Sequence, residues 1–341
     1  IVILIRSPQR RRDAGRTGSD GQPVGTTVRA IWKFRDQMID KQPFASSPAV
    51  WAGRVYIGCD NGGVYCFNAD EGGEPLWMFS AHYPVFSAPV VAGGKLYFGE
   101  GVHSTKDARL YCADAVTGAP IWEFQTTSHV EFPPTVAGER AYFCAGDDGI
   151  YCVDAASGTR IWQTKGLHLD NSPLLVGGVL YVGAGYGETG IAAYRASDGV
   201  RLWFTRTPAS CWGDPALGPA GIVAGIGNGN FELRDENPQA ALLCLSPETG
   251  GIRWRTPLAD ASLAAAAVSG NRVYIGDRSG DFSCFDATTG ALLWKKGCGQ
   301  AVLSSAAVVE NAVVYGCDGG HVHALRPDDG SDIWRYDASR D

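Results

Sequence analysis

The chain has 341 residues, with 29 basic against 36 acidic side chains and a formal net charge of -7. That balance offers no basic face for nucleic acid, and an apolar share of 45% excludes general disorder. Glycine, at 45 residues, is nearly twice its usual share of roughly 7%, and ten Trp against two Met point to short strands and tight turns rather than helices.

In chain order, residues 1–5 (IVILI) are apolar and are followed by Arg6, Arg10, Arg11, Arg12 and Arg16. The chain starts on Ile1 and reads as a processed product or a piece of a longer protein. Residues 1–27 read as an irregular N-terminal arm, and residues 28–341 as one domain. No apolar run approaches the roughly 20 residues of a membrane span, so no span is expected.

From Trp32 onward the chain repeats itself, the first thing to look for in an all-β candidate. Trp32, Trp77, Trp122, Trp162, Trp203, Trp254, Trp294 and Trp334 recur at about 40–50 residues, the spacing of a four-stranded blade. Between successive Trp residues come a first strand after a Pro-x-Val-like start (Pro48-Ala49-Val50, Pro89-Val90-Val91, Pro134-Thr135-Val136), a second strand (RVYIG, KLYFG, RAYFC, VLYVG), a Gly/Asp turn, a third strand, a DAVTG-type turn and a fourth strand ending near Trp. Alternation and Gly-rich punctuation predict four antiparallel strands per repeat. Gly118, Gly158, Gly199, Gly250, Gly290 and Gly330 fall in the third-to-fourth-strand turn, where a positive φ suits Gly. One such sheet cannot bury both faces, which predicts an all-β β-propeller of seven complete repeats. Trp32-Lys33-Phe34 adds an extra N-terminal outer strand, which makes the protein eight-bladed if the chain is truncated. The Trp residues are expected to pack between neighbouring blades.

Ten cysteines are present, with no CxxC and no adjacent pair. Cys66, Cys112, Cys152, Cys244 and Cys284 share one third-strand slot with Ala193 and Ala324, the mark of a small buried position. Unpaired thiols favour a reducing compartment, with the cytoplasm as the alternative location.

Segments such as GVYCFNADEGGEPLW, RLYCADAVTGAPIW and FSCFDATTGALLW resemble the pyrroloquinoline-quinone-type (PQQ-type) propeller repeat over about residues 28–336. The resemblance implies a propeller of typically eight blades. It embraces quinoprotein alcohol dehydrogenases and a cofactor-free branch typified by the envelope lipoprotein of the outer-membrane assembly machinery, to which this chain is more similar. It thereby implies a cell-envelope or periplasmic location. The dehydrogenases carry an adjacent Cys-Cys pair against the cofactor; this chain has none, so their catalytic residues are not carried over.

Connections from second to third strands and from fourth to next first strands leave a blade at the same end. The longest of the former, GEGVHSTKDAR, GAGYGETG and GIGNGNFELRDENPQAA, belong to blades 2, 4 and 5 and mark a binding face. Phe86, Glu131, Asp170, Trp212 and Asp214 lie before first strands, where they would line the mouth of an axial channel, with Asn171, His129, His168 and Cys211 beside them. Carboxylates with Asn171 suit a hard cation such as Ca²⁺, and Trp212 suits stacking on a flat ligand or an exposed anchor for a partner. His321 and His323 alternate on one strand face and read as a packed or solvated strand, since a zinc site needs a third ligand.

These residues point to a non-enzymatic scaffold that binds a protein, or a small-molecule ligand, on the long-loop face. The alternatives are a quinone- or Ca²⁺-dependent oxidoreductase, with PQQ and Ca²⁺ as its cofactors, and an accessory sensor domain of a larger chain.

Overall fold

Four side chains, one from each strand, stand side by side across each blade and explain why the repeat reads as it does. In blade 1, Ala49 pairs with Tyr56, Tyr56 with Cys66 and Cys66 with Trp77. Blade 2 repeats the row as Val90, Tyr97, Cys112 and Trp122, and blade 3 as Thr135, Tyr142, Cys152 and Trp162. Directly opposed residues project from the same face of an antiparallel sheet. In blades 1 to 4 and 6 the third-strand residue thus sits between a Tyr and a Trp ring, and in blades 5 and 7 Val223 and Val314 take the Tyr position; in every blade the residue opposite Trp is small. Cys66, Cys112, Cys152, Cys244 and Cys284, with Ala193 and Ala324, are all fully buried. A register shift follows the slot in each blade, for example between Cys112 and Ala113; such an irregularity bends the outer strand.

The computed structural model describes residues 25–34, 44, 46–229, 236 and 238–338. Among them are 28 strands in seven four-stranded antiparallel sheets, each in simple sequential order. Blades 1 to 7 span residues 49–80, 90–125, 135–164, 174–206, 216–257, 267–297 and 307–337. The fold is all-β, a seven-bladed β-propeller. Two compact units divide the chain: one holds residues 30–173 with 197–199, the other 174–196 with the residues from 200 onward.

The expected packing of Trp between blades is present within each unit. Trp122 of blade 3's predecessor row lies over Gly158 in the next blade's turn, and its indole N–H donates to the Ala155 carbonyl at 3.2 Å. The Tyr97 hydroxyl donates to that same carbonyl at 3.0 Å. Trp203 and Tyr181 share the Pro247 carbonyl in the same way, at 3.0 and 3.3 Å. The turn glycine is required twice over. Gly118 has φ of 74°, a left-handed conformation cheap only for Gly, and a Cβ there would lie 2.6 Å from the Trp77 ring.

Trp32-Lys33-Phe34 departs from expectation. The segment joins none of the seven sheets, yet Trp32 docks like the others, donating to the Ala69 carbonyl at 2.9 Å and lying over Gly72. The docking needs the indole and its turn, not a fourth-strand ladder. The predicted arm, residues 1–27, lies almost wholly outside the described residues, as do residues 230–235 and 237 of the blade 5 insertion.

All ten cysteines are free thiols, eight of them buried. Among the described residues no helix is long and apolar enough to cross a membrane.

Candidate functional site: a histidine–carboxylate cluster

Four connections of the first unit come together at one end of blades 2 and 3. They are residues 100–108 and 145–149, each joining a second to a third strand, and residues 126–134 and 165–173, each leading into a first strand. They interlock through backbone and side-chain bonds. Gly146 and Leu169 exchange N–H···O bonds at 3.1 and 3.2 Å. Buried Asp148 accepts from the Thr127 N–H and hydroxyl, both at 2.7 Å, and from the Tyr151 hydroxyl at 3.0 Å. Burial pushes the Asp148 carboxyl upward, but these bonds and Lys165 outweigh it and hold the carboxyl below its ordinary range. One connection earlier, fully buried Glu100 plays the same part, accepting from the His82 and Tyr83 N–H groups at 2.7 and 3.0 Å.

On this frame three imidazoles surround one carboxylate. Asp170, almost wholly buried, has His129 Nε2 at 2.7 Å from Oδ1, and His168 Nε2 at 2.5 Å and His103 Nε2 at 3.2 Å from Oδ2. The opposite nitrogens of two rings meet further carboxylates: His103 Nδ1 lies 2.9 Å from Glu131 and His168 Nδ1 2.6 Å from Asp147. The His103 and His129 rings stack at 4.7 Å. Gly146 makes room for this, since a Cβ there would lie 2.6 Å from the His129 ring. His103, on the blade 2 insertion, is the solvent-facing member at 35% side-chain exposure.

The electrostatics follow from these contacts. The Asp170 carboxylate and then Glu131 push His103 up to about 10, against a smaller opposing effect of burial. Burial would lower His168, but Asp170 and Asp147 together raise it. Burial would raise Asp170, yet the three imidazoles hold it far below the usual carboxylate range. His103, His129, His168 and Asp170 each offer a ligand atom, all within 4.8 Å of one another.

Of the residues singled out from sequence, Glu131 and Asp170 are brought together here. Asn171, next to Asp170, is fully buried. Phe86 is half-buried in the connection before blade 2 and adds no hydrogen bond or ring contact to the cluster. Trp212 and Asp214 belong to the second unit. Trp212 is not the exposed anchor expected: it is 6% exposed, packed edge-on against Tyr186 at 5.0 Å. The exposed ring is Tyr186, at 56%. Asp214 is buried close to Cys211, whose thiol burial and Asp214 push up to about 12. His129 and His168 stood beside the predicted site, whereas His103 was hidden inside an insertion. Ca²⁺ takes six to eight oxygens, whereas Asp170 is ringed by imidazole nitrogens.

Blades that carry the Tyr–Cys–Trp row, docked by Trp over turn glycines, define a PQQ-like β-propeller repeat protein. The chain belongs to the family described as outer membrane protein assembly factor BamB, matched over residues 24–104, 99–211 and 207–341. Its fold is similar to that of BamB from Moraxella catarrhalis, with 18% identity, TM-score 0.70, and 87% of this chain and 90% of that chain covered. It is also similar to quinohemoprotein alcohol dehydrogenase from Comamonas testosteroni, with 13% identity, TM-score 0.67, and coverage of 89% and 68%. The computationally designed Ika8 protein shares the fold at 16% identity and TM-score 0.71, covering 85% of this chain and 86% of its own. Comparison with curated protein sequences gives no significant match.

The residues do not fit a quinone held with Ca²⁺. Asp170 is occupied by imidazoles, Trp212 is covered by Tyr186, and the ten free cysteines include no adjacent pair. The cytoplasmic alternative drawn from those cysteines is not supported either. The family is described by outer-membrane protein assembly, and five of the ten thiols occupy a third-strand slot opposite Trp, where a small buried side chain is needed.

Proposed function

We propose that the protein is a non-enzymatic interaction scaffold of the cell envelope. Its partner is a protein of the apparatus that assembles outer-membrane proteins, held by the connections that elaborate blades 2, 4 and 5. The observation that carries this reading is the family membership over residues 24–341. The loops support it. Plain second-to-third-strand connections are short, as at residues 59–62 and 277–280, whereas the stretches 100–108 and 227–240 contain more residues. Variable loops on a rigid frame are where recognition usually resides. Tyr186, an exposed aromatic set against Trp212, has the character of an interface anchor, because a ring already braced on one side loses little freedom on binding.

Photo-crosslinking in the native host tests the reading. A photoreactive residue at Tyr186 or Lys106 is expected to give a discrete protein adduct. The same residue at Thr117, in a third-to-fourth-strand turn, is expected to give none. Equal adducts from all three positions, or an adduct from Thr117 alone, would overturn the assignment of the loops as the binding surface.

A further inference from the structure

We propose that His103, His129, His168 and Asp170 form a binding site for a single divalent transition metal ion, Zn²⁺ foremost. The proposal stands apart from the scaffold reading and does not depend on it.

Three observations carry it. First, all three histidines present the same atom, Nε2, toward a common point, and Asp170 supplies an oxygen there. Three imidazoles and one carboxylate make a donor set that suits zinc and its neighbours, whereas magnesium and calcium call for oxygen. Second, the opposite nitrogens are already held: His103 Nδ1 by Glu131 and His168 Nδ1 by Asp147. A carboxylate behind a ligating histidine fixes its tautomer and ring orientation and raises its basicity. A chance cluster has no reason to supply such supports twice. Third, the frame is rigid and the entrance open. Asp148, the Gly146–Leu169 exchange and fully buried His129 fix the floor, while His103 faces solvent on one side.

Charge points the same way. Glu131, Asp147 and Asp170 surround three imidazoles, so the cluster favours positive charge, and a dication bound through the Nε2 lone pairs would supply it. Tetrahedral zinc bonds of about 2.0–2.1 Å place ligand atoms roughly 3.4 Å apart. The present separations, up to 4.8 Å, ask only for side-chain adjustment. The ion would tie together three separate connections of the first unit, residues 100–108, 126–134 and 165–173, stiffening that loop cluster.

The test uses the untagged chain, stripped with chelator and titrated with ZnSO₄ by calorimetry, with metal content read by mass spectrometry. Binding of one equivalent is expected, with a rise in melting temperature. Co²⁺ is expected to give the intense visible bands of a four-coordinate N/O site. His103→Ala, at the solvent-facing position, is expected to weaken Zn²⁺ binding by at least about 100-fold, and Glu131→Gln by roughly 10–100-fold, the usual effect of removing a histidine's outer partner. The melting temperature of each stripped variant controls for folding. Failure of the stripped wild-type chain to take up Zn²⁺ would overturn the proposal. So would a folded His103→Ala variant, together with a folded His168→Ala variant, binding as the wild type does.

Discussion

The two units each contain a cluster of donor side chains, and the two clusters are built on different plans. In the first unit, three imidazoles converge on Asp170 and two are backed by further carboxylates. In the second, Cys298, Cys317 and His323 are equally close, but their partners are of another kind. The Cys298 thiol meets the Tyr315 hydroxyl at 3.0 Å, and the His323 ring stacks on Tyr315 at 5.1 Å. Burial lowers His323, and no carboxylate is hydrogen-bonded to it among the described residues. Proximity alone therefore does not distinguish a site from packing. The distinction lies in what holds the far side of each donor. Carboxylates orient the first set, whereas Cys298 and Cys317 pack against the core shared by blades 6 and 7 and His323 stacks on its Tyr315.

Removing one group from each cluster in metal-free protein is expected to separate them. Asp170→Ala leaves buried His129 and its neighbours without their shared acceptor. It is expected to cost about 1–3 kcal/mol for each buried partner left unsatisfied, read in chemical denaturation. Cys317→Ala, in the stack, is expected to cost about 1 kcal/mol, near the centre of the range for single substitutions. Equal losses at the two sites would show that the Asp170 cluster is ordinary packing.

How far each region was legible in sequence differs for the same physical reason. The Tyr–Cys–Trp row was readable because it recurs in register: the slot shared by Cys66, Cys112, Cys152 and Ala193 implies one cramped environment repeated around the fold. The histidine cluster has no register. His103 lies in an insertion that only blade 2 carries, His129 precedes blade 3 and His168 precedes blade 4. Their shared chemistry appears only once the topology puts those connections at the same end of the blades. A usable signal existed, since three of only six histidines occupy two kinds of connection that leave a blade on the same side. The exposure of Trp212 could not be read at all. It is set by neighbours from other connections, Gly185, Tyr186 and Gly229 among them, and aromatic composition does not say which of two rings covers the other.

A smaller effect separates the cysteines of the two plans. Cys298 and Cys317 are only partly buried, whereas the other eight are buried. Native protein treated with a small thiol reagent is expected to lose about two thiols quickly and to keep the rest until denatured, when all ten react, since reactivity follows exposure and thiolate character. Rapid native labelling of Cys66 or Cys112 would show that the slot beside Trp is open and the Tyr–Cys–Trp row loosely packed.

The subtlest expected effect is on stability at alkaline pH. Burial pushes the thiols of Cys66 and Cys284 up to about 12 and those of Cys112, Cys152 and Cys244 up to about 11, from an ordinary value of 9.0. Above pH 9 the unfolded chain therefore releases thiol protons that the folded chain retains. The folded state then binds more protons than the unfolded one, so stability falls as pH rises. The fall begins near pH 9, grows toward pH 11 and levels off only once the folded thiols themselves ionise. Denaturant midpoints measured between pH 8 and 11 are expected to decline steadily. Replacing Cys66 and Cys112 with Ala, the residue that blade 4 already carries at the same slot as Ala193, should shallow the decline without changing the fold. An unchanged slope in that double variant would mean that the slot thiols ionise as readily folded as unfolded, and that the buried row is wetter than the structure shows.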